Sequence, residues 1–149
     1  MNVEVEIRRA NCDDLNAILA LLRRDSFIIQ PGDAPADYGH AFQVIDAHPD
    51  NEMIVAELEG QVVGTLQLTF IPTLSFQGGW RAQVEAVRVR DDLRNLGIGT
   101  RLMEWVIARA RERGCKLVQL TTNVARIDAQ RFYRRLGFLP SHVGMKLIL

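Results

Sequence analysis

Val84-Glu85-Ala86-Val87-Arg88-Val89-Arg90-Asp91-Asp92-Leu93-Arg94-Asn95-Leu96-Gly97-Ile98-Gly99 decides the fold of this chain. Its first half alternates like a strand. Val84 and Ala86 are expected on one face with Glu85 on the other, and Val87 and Val89 alternate with Arg88 and Arg90. Asp91 and Asp92 make a charged turn, and the two glycines then open an amphipathic helix. The first turn of a helix leaves its backbone N–H groups without intrahelical acceptors and turns the positive end of the dipole outward, so phosphate is a natural occupant. Glycine at 97 and 99 removes the Cβ atoms that would hold phosphate oxygens away. A glycine pair alone describes many ordinary turns as well, so its neighbours decide.

The stretch is not a nucleotide P-loop, because Thr100-Arg101-Leu102 follows Gly99 where Gly-Lys-Ser/Thr would be needed. It lacks the third glycine of a dinucleotide-binding turn. The spacing Arg94-x-x-Gly97-x-Gly99 resembles the signature of the GCN5-related N-acetyltransferases (GNAT), whose loop cradles the pyrophosphate of coenzyme A. The resemblance implies a cradle formed by Arg94, Asn95, Leu96, Gly97, Ile98, Gly99 and Thr100. It also implies that backbone groups of Val87, Arg88 and Val89 run beside the pantetheine arm, an edge-on pairing indifferent to side-chain identity.

A second motif, Ala129-Gln130-Arg131-Phe132-Tyr133-Arg134-Arg135-Leu136-Gly137-Phe138, looks like the late signature of the same family. The resemblance makes Tyr133 the acid that protonates the leaving thiolate; the competing reading is a half-buried aromatic. The family commonly has Asn three residues before the conserved Ala, and this chain has Arg126 there. Arg126, or Asn123 in place of the usual amide, is the expected contact to the donor. Glu85 is the candidate general base. It would face the site if Val84 and Ala86 face the opposite layer, and an amine that arrives as ammonium must lose a proton before attack. A surface glutamate is the equally weighted alternative.

Composition bounds the rest. The chain has 149 residues, 48% of them apolar, enough for one core and too few for two ordinary domains, so a single domain over residues 1–149 is expected. No stretch approaches the ~20 apolar residues of a membrane span, and residues 1–6 lack the form of a signal peptide, which makes a cytoplasmic location the default with no membrane partner. With 18 basic and 18 acidic residues the chain is neutral, which argues against a nucleic-acid surface. Cys12 and Cys115 are isolated and read as reduced thiols. His40, His48 and His142 have no ligand spacing, and no metal is implied.

The expected order is β-α-α-β-β-β-α-β-α-β. Val3 to Arg9 alternates as a strand, and Asp13 or Asp14 is the expected cap of a helix carrying Leu15, Ile18, Leu19 and Leu22. Ser26 to Pro49 loosens around Pro31 to Pro35 before a short helix from Tyr38 to Ala47, a segment placed to cover a substrate site. Glu52 to Leu58 and Gln61 to Ile71 read as a hairpin joined at Glu59-Gly60, followed by a strand from Arg81 to Val89. A helix from Gly99 to Arg113 ends at Gly114, Lys116 to Thr122 is a parallel strand, and Asp128 is the expected cap of a last helix ending at Gly137. Phe138 to Leu149 is expected to close the sheet as a hairpin-like strand pair. The fold class is therefore α/β, a mixed, mostly antiparallel sheet with a central parallel β-α-β unit and flanking helices, similar to the GNAT fold.

The resemblance implies an N-acetyltransferase that moves acetyl from acetyl-CoA to a primary amine by direct attack in a ternary complex. The acceptor, small molecule or peptide, stays open; Asp25, Asp33, Asp37, Asp46 and Asp50 hint weakly at a cationic one. A homodimer through the apolar segment Met145 to Leu149 follows by the same analogy. Two rivals remain: a non-catalytic acyl-CoA-binding regulatory module, and an interaction domain with a degenerate site.

Overall fold

The computed structural model describes residues 4–23 and 37–149. Val3, Asp25, Asp33 and the break at Pro31 to Pro35 lie outside them. The chain divides into two compact units, Met1–Gln119 and Leu120–Leu149, taken here in turn.

In the first unit, alternating side chains build a five-stranded sheet in the order β1-β2-β3-β4-β5. β1 is Glu6–Arg9, β2 Asn51–Leu58, β3 Gln61–Pro72, β4 Trp80–Val89 and β5 Cys115–Leu120. The first four pair antiparallel in succession. β5 returns beside β4 after a helix and makes the sheet mixed. The β2–β3 turn has Glu59 and Gly60 both at positive φ, as a two-residue hairpin with the native twist requires. Between β3 and β4 the single turn α3 (Ser75–Gly78) carries Phe76 and Gln77 at left-handed angles.

Alternation then sorts the two faces of the sheet. Ile54, Ala56, Leu66, Leu68, Phe70, Ala82 and Val84 are buried. Over them, on β3 and β4, lies α4 (Ile98–Glu112), which contributes buried Leu102, Met103, Val106 and Ala110. The helix comes close because Gly64 has no side chain: a Cβ there would stand 3.1 Å from Leu102 Cδ1 and 3.3 Å from both Ala56 Cβ and Arg88 O. On the opposite face Met53 and Val55 pack with Ala10, Ile18 and Phe42, and with Leu15, Leu22 and Ile45 at the margin. These come chiefly from α1 (Leu15–Leu22) and α2 (Tyr38–Ala47). Asp37 caps α2 by accepting from His40 N at 2.9 Å.

The expected cap of α1 holds in position only: Asp14 is its N-cap residue but makes no side-chain cap bond to it, and Asp13 does not cap it. The side-chain cap belongs to the turn before it, where Asn11 accepts from Asp13 N at 2.9 Å and the Asp14 carboxylate accepts from Asn11 N at 2.8 Å. A short 3-10 turn, Cys12–Asp14, moves the start of the helical path upstream and makes Asp14 the reciprocal partner of a capping box.

In the second unit α5 (Ile127–Arg135) follows a turn in which Asn123 Oδ1 accepts from Ala125 N and Asn123 O from Arg126 N, each at 2.9 Å. Asp128 lies inside the first turn of α5 rather than capping it; Arg126 holds the cap position. The expected strand pair from Phe138 to Leu149 is absent: these residues form no strand. Phe138 N is spent on Tyr133 O and Ser141 N on Leu139 O, while Pro140 has no donor. Composition alone does not make a ladder, and Leu139, Val143, Met145, Leu147 and Leu149 are all at least 82% exposed. Among the described residues no helix is long and apolar enough to cross a membrane.

Candidate active site

The end of β4 leads into a 3-10 turn, Asp91–Leu93, braced by Arg90 on Asp92 and by Arg94 on Asp91, both at 2.7 Å. Asn95 and Gly97 then take positive φ, 66° and 83°. Gly97 is the N-cap of α4, and having no side chain it offers no capping oxygen to the N–H groups of the first turn. Arg101 N is the first donor to find a helical acceptor, Gly97 O at 3.0 Å, so Ile98, Gly99 and Thr100 hold the outward amides. Arg94, Asn95, Leu96 and Gly97 are exposed, Gly99 and Thr100 half-buried, and the Ile98 side chain is anchored in the core. Nothing lies within 4 Å of where a Cβ on Gly97 would stand. The loop presents these backbone donors at an open helix N-terminus, a setting that favours an anion.

Upstream, β4 departs from simple alternation. Thr65 pairs with Arg88 but Gln67 pairs with Glu85, so two steps on β3 meet three on β4. The extra residue makes a β-bulge, and Ala86 adopts φ 54°. Ala86 is therefore exposed rather than inward, which corrects its expected pairing with buried Val84. The signal was present in the apolar phase, which slips at the adjacent Ala86 and Val87. Beyond the bulge Val87, Arg88 and Val89 are half-buried, and Arg88 Nη1 donates to Val87 O at 2.8 Å.

Glu85 is exposed on the face opposite Val84, the last regular residue before the bulge. Its carboxylate accepts from Gln83 Nε2. Gln119 Nε2 on β5 donates to Gln83 Oε1 at 3.0 Å, and Arg81 Nη1 donates to Gln119 Oε1 at 3.3 Å. None of these three partners stands out in the sequence, because a hydrogen bond between β4 and β5 has no local periodicity. Directly paired residues share a face, so Gln67 and Thr69 of β3 stand beside Glu85 and Gln83 on the sheet side that α1 and α2 flank.

In the second unit Tyr133 is half-buried, with the Phe132 and Phe138 rings edge-on at 5.0 and 5.8 Å. Arg126 is half-buried at the start of α5, and the Asn123 side chain serves its own turn. His48 Nδ1 accepts from Asp50 N, and His142 Nδ1 lies 2.6 Å from Ser141 Oγ. Among the described residues no group of three or more His, Cys, Asp or Glu is placed to hold a metal. Burial pushes the Cys115 thiol above its ordinary value, with Arg113 opposing the shift, so Cys115 is poorly suited to act as a nucleophile.

Known proteins share this sequence pattern and fold. The chain is 31% identical over 142 residues to aminoalkylphosphonate N-acetyltransferase of Salmonella typhimurium, covering 92% of this chain and 86% of that protein. Among solved structures, a transcriptional regulator from Bacillus halodurans superposes with TM-score 0.91 at 43% identity, covering 98% of this chain and all of that one. A putative acetyltransferase from Agrobacterium tumefaciens superposes with TM-score 0.85 at 25% identity, covering 97% of this chain and 99% of that one. Residues 15–138 match the Acetyltransferase (GNAT) family, and with the glycine loop and the mixed sheet in place, the chain belongs to that family of acyl-transferring enzymes.

Proposed function

We propose that the two units act as one domain that transfers acetyl from acetyl-CoA to a primary amine by direct attack in a ternary complex. The observation that carries this reading is the Gly97 loop, an uncapped helix N-terminus open at the position a side chain would fill. Acetyl-CoA supplies an acyl group activated as a thioester. The Arg94 to Thr100 backbone binds its phosphates, and Val87 to Val89 flank the arm. Glu85 takes the proton of the acceptor ammonium, leaving the nitrogen electron pair to form the C–N bond. As the C–S bond breaks, Tyr133 O–H delivers a proton to sulfur, and the nitrogen gives up its second proton on becoming the amide, which restores the Tyr133 O–H. Arg126 and Asn123 are the further contacts to the donor.

Likeness to a protein named for aminoalkylphosphonates puts small primary amines bearing an anionic group first among acceptors to try. Calorimetric titration of acetyl-CoA tests the cradle, and thioester cleavage over a panel of amines tests the chemistry. Binding without cleavage for any amine would favour a regulatory acyl-CoA-binding module. Glu85→Gln and Tyr133→Phe are each expected to lower kcat by about 10²-fold, within the usual range for a general base or acid, with donor affinity nearly unchanged. Unchanged turnover in either variant removes that residue from the mechanism.

A further inference from the structure

Glu85 is exposed, and an exposed glutamate left alone samples several rotamers. Here it is the end of a chain of side chains with a fixed direction. Arg81, Gln83 and Glu85 occupy alternate positions on one face of β4, and Gln119 reaches them from β5. Arg81 donates to Gln119, Gln119 to Gln83, and Gln83 to Glu85.

The direction is set from both ends. A guanidinium only donates and an ionised carboxylate only accepts, so each amide between them has one orientation that satisfies both neighbours. Flipping Gln119 would set its N–H₂ against Arg81 and its oxygen against the Gln83 oxygen. Flipping Gln83 would set its oxygen against the carboxylate. Both glutamines and Arg81 are half-buried, so water competes less for these bonds than at an open surface, and successive dipoles polarise one another.

We infer that Gln83, Gln119 and Arg81 are positioning residues that orient the Glu85 carboxylate for proton transfer. Resting on Glu85 as base, the inference assigns Oε1 to Gln83 and leaves proton acceptance to Oε2. The N–H bond of the ammonium breaks, its electron pair stays on nitrogen, and the proton passes to the carboxylate. The relay stands where the backbone helps least, because the ladder loses register at Ala86, the next residue.

The test is a double-mutant cycle in the full chain, with acetyl-CoA as donor and aminomethylphosphonate as first acceptor, or the amine of highest turnover in the panel. Gln119→Glu keeps an acceptor for Arg81 but cannot donate to Gln83; Gln119→Met removes both links without adding charge. Each is expected to lower kcat about tenfold, less than the ~10² that misplacing a reacting group can cost, with the KM for acetyl-CoA and the melting temperature little changed. In a Glu85→Gln background the same changes are expected to cost nothing further. If Glu85→Gln lowers kcat while the Gln119 variants do not, or their losses add in full to it, the relay is refuted and Glu85 stands as base. If Glu85→Gln leaves turnover intact, or no amine is acetylated, the reading of Glu85 falls and the relay with it.

Discussion

Asp14 shows how much one side chain can hold. It is 7% exposed, accepts from both Nη atoms of Arg8 at 2.7 and 2.9 Å, and closes the Asn11 capping box. The Arg8 hydrogen bonds hold its carboxyl below the usual carboxylate range, against the opposing effect of burial. A lowered folded-state value means that the contribution to stability is present above the unfolded value of about 3.9 and is lost as pH falls through the folded one. Asp14→Ala is expected to cost about 2 kcal/mol at neutral pH, less than the 3–5 of a fully buried pair because Arg8 is partly exposed and keeps Glu57 at 2.8 Å. Urea unfolding at neutral pH and at about pH 2 checks it. The gap between variant and parent should shrink in acid; a constant gap would show that the carboxylate charge contributes nothing.

At the scale of elements, the proposed cradle depends on one backbone conformation. Gly97 sits at φ 83° with open space where a Cβ would go, so Gly97→Ala meets no clash and costs only conformational strain, about 1 kcal/mol. The added methyl would stand in the open space beside the loop, which the proposed donor would enter. The expected outcome is a small drop in melting temperature with a weaker acetyl-CoA titration; full affinity would separate the loop from donor binding. This loop was legible in the sequence because glycines, a charged turn and an amphipathic helix are all local features. So were the Glu59-Gly60 turn and the bounds of α2, where Asp37 precedes an unbroken helical run. The features missed are those that depend on a partner. Asp14 stands at the N-cap of α1 without a side-chain bond to it because Arg8 and the Asn11 amide claim its carboxylate. The bulge at Ala86 depends on pairing with β3, and the Gln83–Gln119 link on β5 lying beside β4. The segment after Phe138 has the composition of a strand but lacks the ladder that would make it one.

Across the first unit, the helix that follows the Gly97 loop is tied to the sheet by ions as well as by its apolar stripe. Arg109 on α4 donates to Glu52 on β2 at 2.6 Å, Arg113 reaches Asp50 at 2.6 Å, and both guanidinium groups lie over the Phe70 ring. Glu52 is 4% exposed whereas Arg109 also meets the exposed Glu112, so the two halves of the pair are not equivalent. Arg109→Ala strands a buried carboxylate and is expected to cost about 3 kcal/mol, while Glu52→Ala lets Arg109 turn to Glu112 and water and costs less. Equal losses in denaturant unfolding would show that burial of the carboxylate is not what matters. Gly64 adds a different constraint. The missing methyl there acts as a shim of zero thickness that seats α4 low on its bearing. A thicker residue would have to be absorbed at Leu102, one turn in from the mouth of the helix, so a position outside the proposed cradle governs how that mouth is seated.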